Sequence, residues 1–454
     1  MQLKPLLLIF IFFITTISAV PDSPICNVVE GPLPPFPTPD GKYEDIVEKL
    51  QNIIKENNWD YLFEMAIQDA HDSGVSEMEN IRTLTDYYNF LNYLVKWVPT
   101  EKETGTYIYR MIVTMYFVLN QNSIILLQSP ITPWRDPPIT ILSKWIIEFA
   151  NSMGAFLDTE ESINDESLAT FYTAQHYNLD AYERPKEGWK TFNEFFVRKF
   201  KQGTRPIDGP ENPAVIVSAA DSSFNGCWNI NNESVVVLKG LPWSIKQLLH
   251  DSEYGDSFAD GKFMHAFLGP YDYHRQHAPV AGTVLEAKVI KGLTYLEVIA
   301  TKPPGSESPL LVPLRKVEND FKVSLSAANS PGYQFSQARG LIIIQSEIGK
   351  VAVLPIGMAQ VSSVKLCVNV GDKVEKGDEI SYFQFGGSDY VLVFEKESEV
   401  DVLAAPGRHY RVGEQIAIAH SKPIASKKAI EVTPVPHELG KYCSRLSPES
   451  TSAS

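Results

Sequence analysis

The sequence is poor in the residues on which most catalytic signatures are built. Its 454 residues include four cysteines and nine histidines. Cys26, Cys227, Cys367 and Cys443 form no CxxC spacing, so a thiolate zinc site has no framework. GxSxG, GxxxxGK[ST], HExxH and a strand-linked GxGxxG are all absent, which takes weight from the hydrolase-elbow, P-loop, zincin and dinucleotide readings. Positive charge is short as well. Against 55 Asp and Glu stand 40 Lys and Arg, a formal charge of −15, whereas a nucleic-acid binder presents a basic surface. Charged residues are 21% and hydrophobic residues 44%, ordinary globular usage that excludes a chain too polar to fold.

The longest apolar run lies at the N-terminus, where Lys4 precedes Leu6–Ile14 and small residues Ser18 and Ala19 follow. This pattern predicts a signal peptide over residues 1–19, and hence the secretory pathway or secretion, with an uncleaved signal anchor as the alternative. Such a compartment permits disulfides, and four cysteines allow three pairings. Asn232-Glu233-Ser234 is a glycosylation sequon. A Pro-rich stretch, PLPPFPTPD (32–40), predicts an extended linker over 20–42. Residues 43–187 have helical periodicity: Ile46, Leu50 and Ile53 or Ile54 form one stripe, and further helices are expected over 84–97, 105–119, 139–157 and 168–177. The apolar segment YIYRMIVTMYFVLN carries Arg110 and is too short to span a bilayer, so a buried core helix is expected there.

Beyond residue 208 the texture becomes β-branched, in runs such as AVIVSAAD, GTVLEAKVI, GLIIIQS, KVAVLPIG and YVLVFE bounded by Gly, Pro and Asn, the mark of a β-rich domain. A weak echo links VNVGDKVEKGDEI (368–380) with HYRVGEQIAI (409–418), similar to the strand-turn pseudo-repeat of lipoyl-like barrels. The tail, 421–454, is polar.

Three segments could carry chemistry. LGPYDYHRQHAPVAG places Asp272, His274, Arg275 and His277 within six positions, a dense group of proton-transfer residues that a salt-bridged turn would equally produce. A metal there would need a third ligand, such as His250 or His265, that the spacing does not supply. In ISYFQFGGSDYVLVFE, Gly386-Gly387-Ser388 interrupts two strand-like runs, as a tight hairpin also would. Asp221 ends an apolar strand, where a carboxylate can orient a histidine.

In order, GWKTFNEFFVRKFKQGTRPID (188–208), SAADSS, LKGLPWSIKQLL, LGPYDYHRQHAPVAG and VEKGDEISYFQFGGS resemble the phosphatidylserine decarboxylase family of pyruvoyl enzymes. The helical region with HYNLDAYERPKEGWKTFNEFF further resembles the N-terminal domain of the branch that includes fungal L-tryptophan decarboxylases. The resemblance implies an α+β chain: a helical N-terminal domain, then a β-rich catalytic domain over 188–420 with lipoyl-like barrel character. It also implies that Ser388 attacks the Gly387 carbonyl, cutting the chain there and becoming a covalent pyruvoyl group. That group takes the place of pyridoxal phosphate as electron sink, with no metal. By motif match His277 is the base for Ser388 and Asp221 its orienting partner, while His274 is the acid that protonates the substrate α-carbon. Asp272 would tune His274, and Arg275 would hold a carboxylate or pair with an acid. Gly386 and Gly387 give the cleavage site its backbone freedom.

Phosphatidylserine is the substrate the family implies, and a free aromatic amino acid such as L-tryptophan is the alternative. A non-catalytic protein on the same fold is a third reading. The cut chains are expected to stay associated, and peripheral membrane contact and homo-oligomerisation are left open. Two positions depart from the family pattern: Asp389 stands where the cleavage motif has Thr, and Ser222 where Gly usually follows the Asp.

Overall fold

The computed structural model describes residues 31–133, 138–238, 240–302, 308–313, 332–359, 363–385, 387–420 and 438–443. The expected signal peptide, Cys26, Gly386 and most of the polar tail lie outside them.

The N-terminal half is helical, as its periodicity predicts. The helices are Asp45–Glu56, Asp60–Asp72, Leu84–Val95, Tyr107–Leu119, Ile141–Leu157 and Asp165–Thr173, with shorter pieces between them. Capping sets several boundaries. Thr83 and Asp86 form a reciprocal capping box that starts the Leu84–Val95 helix, and Asn164 and Ser167 form another that starts Asp165–Thr173, three residues earlier than the apolar pattern suggested. Asp60–Asp72, absent from the expected set, buries Phe63, Ala66, Ile67 and Ala70 on one side. Arg110, inside the apolar Tyr107–Leu119 helix, is buried with its Nε 2.6 Å from Glu77 Oε1, and donates to the Gly31 carbonyl at 2.7 Å. The segment is therefore a core helix with an internal ion pair. Among the described residues no helix is long and apolar enough to cross a membrane. The Pro-rich stretch has no regular structure from 31 to 43, but it is anchored: Leu33 and Phe36 are buried, and Phe36 packs on Phe90 at 5.0 Å.

The β-rich half is built on an eight-stranded antiparallel sheet. Its strand order is Lys373–Val374, Gly282–Ile290, Arg339–Ser346, Gly349–Met358, Gly387–Phe394, Lys262–Leu268, Ser222–Asn229 and His409–Tyr410. The central strands carry runs of consecutive apolar residues, such as Leu341–Ile344 and Tyr390–Phe394, because both faces of the sheet are covered there. On one face Val391, Val393, Ile343 and Leu354 join the same core as Phe63, Met115 and Trp145 of the helices. On the other, Tyr390, Leu392, Ile342 and Val353 pack with Ile216, Val364, Ile380 and Ala417 of two three-stranded sheets.

The chain is thus α+β, but the expected lipoyl-like barrel is not seen: among the described residues no sheet closes. Its reason lies in the echo itself. Lys373–Val374 and His409–Tyr410, from the two similar segments, occupy opposite edges of the large sheet and do not meet. What the segments share is a turn, with Gly371 at φ +94° and Gly413 at φ +87°, left-handed positions that glycine adopts without steric cost.

Candidate active site

Ser388 is the second residue of strand Gly387–Phe394, paired with Gly357 on one side and Leu268 on the other. The hairpin reading of Gly-Gly-Ser does not hold. The preceding strand, Glu379–Phe383, belongs to the three-stranded sheet with Val364–Leu366 and Arg275–His277, so the chain changes sheets just before the serine. Ser388 is fully buried.

His274 faces it. The His274 Nδ1 lies 3.3 Å from Ser388 Oγ, and its Nε2 lies 3.2 Å from the Pro270 carbonyl. A carbonyl only accepts, so Nε2 carries the proton and Nδ1 is left bare to accept from the serine hydroxyl. Phe196 stacks on the ring with centroids 4.1 Å apart. Burial, helped by the positive charge of Arg198, pulls the His274 pKa down to about 3, so the imidazole is neutral and a proton acceptor at ordinary pH. Arg198 also donates to the Tyr271 carbonyl at 3.1 Å, holding the loop that delivers His274. Nothing in its spacing had singled it out.

His277 is placed differently. Its Nδ1 lies 2.6 Å from the Gly377 carbonyl and its Nε2 3.1 Å from the Tyr273 hydroxyl, so both ring nitrogens are occupied away from Ser388. Burial lowers its pKa too. Asp221 does not orient it either. That carboxylate is held by both Nε and Nη2 of Arg205, and it accepts from the Val412 amide at 2.8 Å. The expected Asp221–His277–Ser388 relay is therefore not assembled in this conformation.

Asp272 is bonded to His409 Nε2 at 2.9 Å and to the Gly269 amide at 2.7 Å, so it shapes the loop before His274 without touching the ring. Burial raises its pKa. Arg275 pairs with Glu379 through Nη1 and donates from Nε to the Val197 carbonyl at 2.7 Å; of its two expected roles, pairing with an acid is the one observed. Gly387 begins the strand, and Gly386 lies outside the described residues.

Asp389 points to the opposite sheet face from Ser388, by strand alternation. It accepts from the Tyr333 hydroxyl and lies 3.1 Å from His265 Nε2. The departure from the family pattern is thus built into a buried polar cluster, and His265 belongs to that cluster.

Residues 192–418 match the family model for phosphatidylserine decarboxylase. Curated relatives include phosphatidylserine decarboxylase proenzyme 2 of Oryza sativa subsp. japonica, 34% identical over 57% of this chain and 38% of that protein. The phosphatidylserine decarboxylase proenzyme of Fusobacterium nucleatum subsp. nucleatum is 31% identical, over 52% of this chain and 70% of that one. The L-tryptophan decarboxylase of Psilocybe cubensis is 27% identical, over 56% and 60% respectively.

Proposed function

Because this chain belongs to the phosphatidylserine decarboxylase family, we propose that it is a carboxy-lyase that cuts itself between Gly387 and Ser388 and decarboxylates phosphatidylserine to phosphatidylethanolamine. The observation that carries this reading is the buried Ser388 hydroxyl, 3.3 Å from an unprotonated histidine nitrogen. A hydroxyl is a poor nucleophile until a base takes its proton.

His274 Nδ1 is placed to accept that proton as Ser388 Oγ bonds to the Gly387 carbonyl carbon. The peptide C–N bond then breaks, leaving an ester to Ser388 and a new amine at residue 388. Loss of the residue 388 α-proton expels the Gly387 carboxylate. Water then releases the amine as ammonia and leaves a carbonyl at residue 388. The site fits a pyruvoyl group there, since its precursor hydroxyl is buried beside a base. Its carbonyl would supply the electron sink for the carbanion left by CO2. After the cut His274 stays beside residue 388, where it can return a proton to the substrate α-carbon, and Arg198 and Phe196 keep its ring in place and uncharged. Water exclusion by the buried surroundings strengthens each of these contacts.

The L-tryptophan decarboxylase of Psilocybe cubensis supports a second reading, a free aromatic amino acid as substrate, since that relative also matches more than half of this chain. We also propose secretory localisation, on the signal-peptide pattern expected over residues 1–19, and the Cys367–Cys443 disulfide supports that reading. Intact mass spectrometry should find chains ending at Gly387 and beginning at residue 388. CO2 release should be greatest with phosphatidylserine; greatest release with tryptophan would move the assignment to the second reading. An uncut chain with an unmodified Ser388 would refute both.

A further inference from the structure

The disulfide between Cys367 and Cys443 joins residues 76 apart, one on each side of the proposed cut. Cys367 follows strand Val364–Leu366 in the upstream part, and Cys443 ends the short described segment 438–443 near the C-terminus.

This C-terminal segment is held by partners that all lie upstream of Ser388. Gly440 N donates to the Leu366 carbonyl at 3.0 Å, and Tyr442 N donates to the Tyr382 hydroxyl at 3.3 Å. The Tyr442 carbonyl accepts from Arg275 Nη1 at 2.9 Å, and Lys441 pairs with Asp158 at 3.2 Å. Gly440 lies so close that a Cβ there would fall 2.6 Å from the Tyr382 ring, so a side chain at 440 would lift the segment away.

We infer that the Cys367–Cys443 disulfide becomes an inter-chain bond on maturation and holds segment 438–443 of the downstream chain as a clasp on the upstream chain. The inference rests on the self-cleavage proposed above. Before the cut the bond closes a loop within one chain; afterwards the same bond links two. The clasp also reaches the site. Tyr442 supplies one of the acceptors that fix Arg275, and Arg275 is the neighbour of His274. The segment is therefore an interface whose partner is the molecule's own other half.

The mature protein, with thiols blocked by N-ethylmaleimide, would be run denatured with and without dithiothreitol and weighed intact. Dithiothreitol is oxidised to its cyclic disulfide as Cys367 and Cys443 each gain an electron and a proton. Without reductant a single species carrying both chains is expected; with it, two chains separated at residue 388. Cys443→Ser should give two chains without reductant, while Cys227→Ser, at the free half-buried cysteine, should stay linked. Two separate chains from the unreduced natural protein would overturn the clasp and leave self-cleavage standing. Persistent linkage in Cys443→Ser would overturn it too, and an uncut chain under both conditions would overturn both proposals.

Discussion

His274 and His277 are three residues apart and both have depressed pKa values, yet they sit in different chemical settings. His274 is on a loop and has one ring nitrogen held by a carbonyl and the other directed at a serine. His277, inside strand Arg275–His277, has a carbonyl on one nitrogen and a tyrosine hydroxyl on the other. A histidine can serve as a base only where its bare nitrogen meets a proton it is to remove. Motif membership and the direction of the pKa shift do not separate the pair, whereas the partner of the second nitrogen does.

The sharpest break in this comparison is to remove the group that distinguishes the two. Ser388→Ala has no oxygen to attack Gly387, so cleavage and activity should both vanish, as read by mass spectrometry and CO2 release. Next come the histidines themselves. His274→Ala is expected to slow cleavage by about 10²–10⁴-fold, the usual contribution of a positioned base, and His277→Ala by less. If the order is reversed, His277 is the maturation base that the motif match implies, and the 3.3 Å contact of His274 serves only the later step.

Arg205→Ala tests the other side of the comparison. It removes the ion-pair partner of a buried carboxylate, which should cost about 3–5 kcal/mol in denaturant unfolding. Restored stability in Arg205→Ala/Asp221→Asn would show that the loss comes from the unpaired charge. The smallest effect is with pH. A base must be unprotonated, and His274 titrates near pH 3, so the cleavage rate should stay level as pH falls from 7.5 to 5.5, provided the fold survives. A fall centred near 6.5, the ordinary histidine value, would show that a different, solvated histidine controls the step.

Much of this was readable beforehand, for definite reasons. The helices announce themselves through apolar spacing and the sheet through β-branched runs, because each element buries a face of fixed period. Ser388 and the histidine cluster stand out as rare residue types in rare company. Their pairing was not readable. Which of two histidines meets a serine more than a hundred residues away depends on where the loop becomes strand, here at Arg275. Likewise Asp221 lies beside its motif, but Arg205, sixteen residues earlier, claims it. Four cysteines give no means of choosing 367 with 443, and a shared turn motif does not by itself specify a closed barrel.

The packing of the helices and the large sheet into one interior has a practical side. Residue 188 marks where the family motifs begin, and it would tempt anyone shortening the gene to start there. Such a truncation would strip the Tyr107–Leu119 helix from the strands Val298–Thr301 and Leu310–Pro313 that it packs against and present buried apolar residues such as Val298 and Leu311 to water. Large exposed apolar patches are aggregation liabilities. The shortened protein should collect in inclusion bodies, and its failure there would report on solubility alone, with no bearing on the chemistry at Ser388.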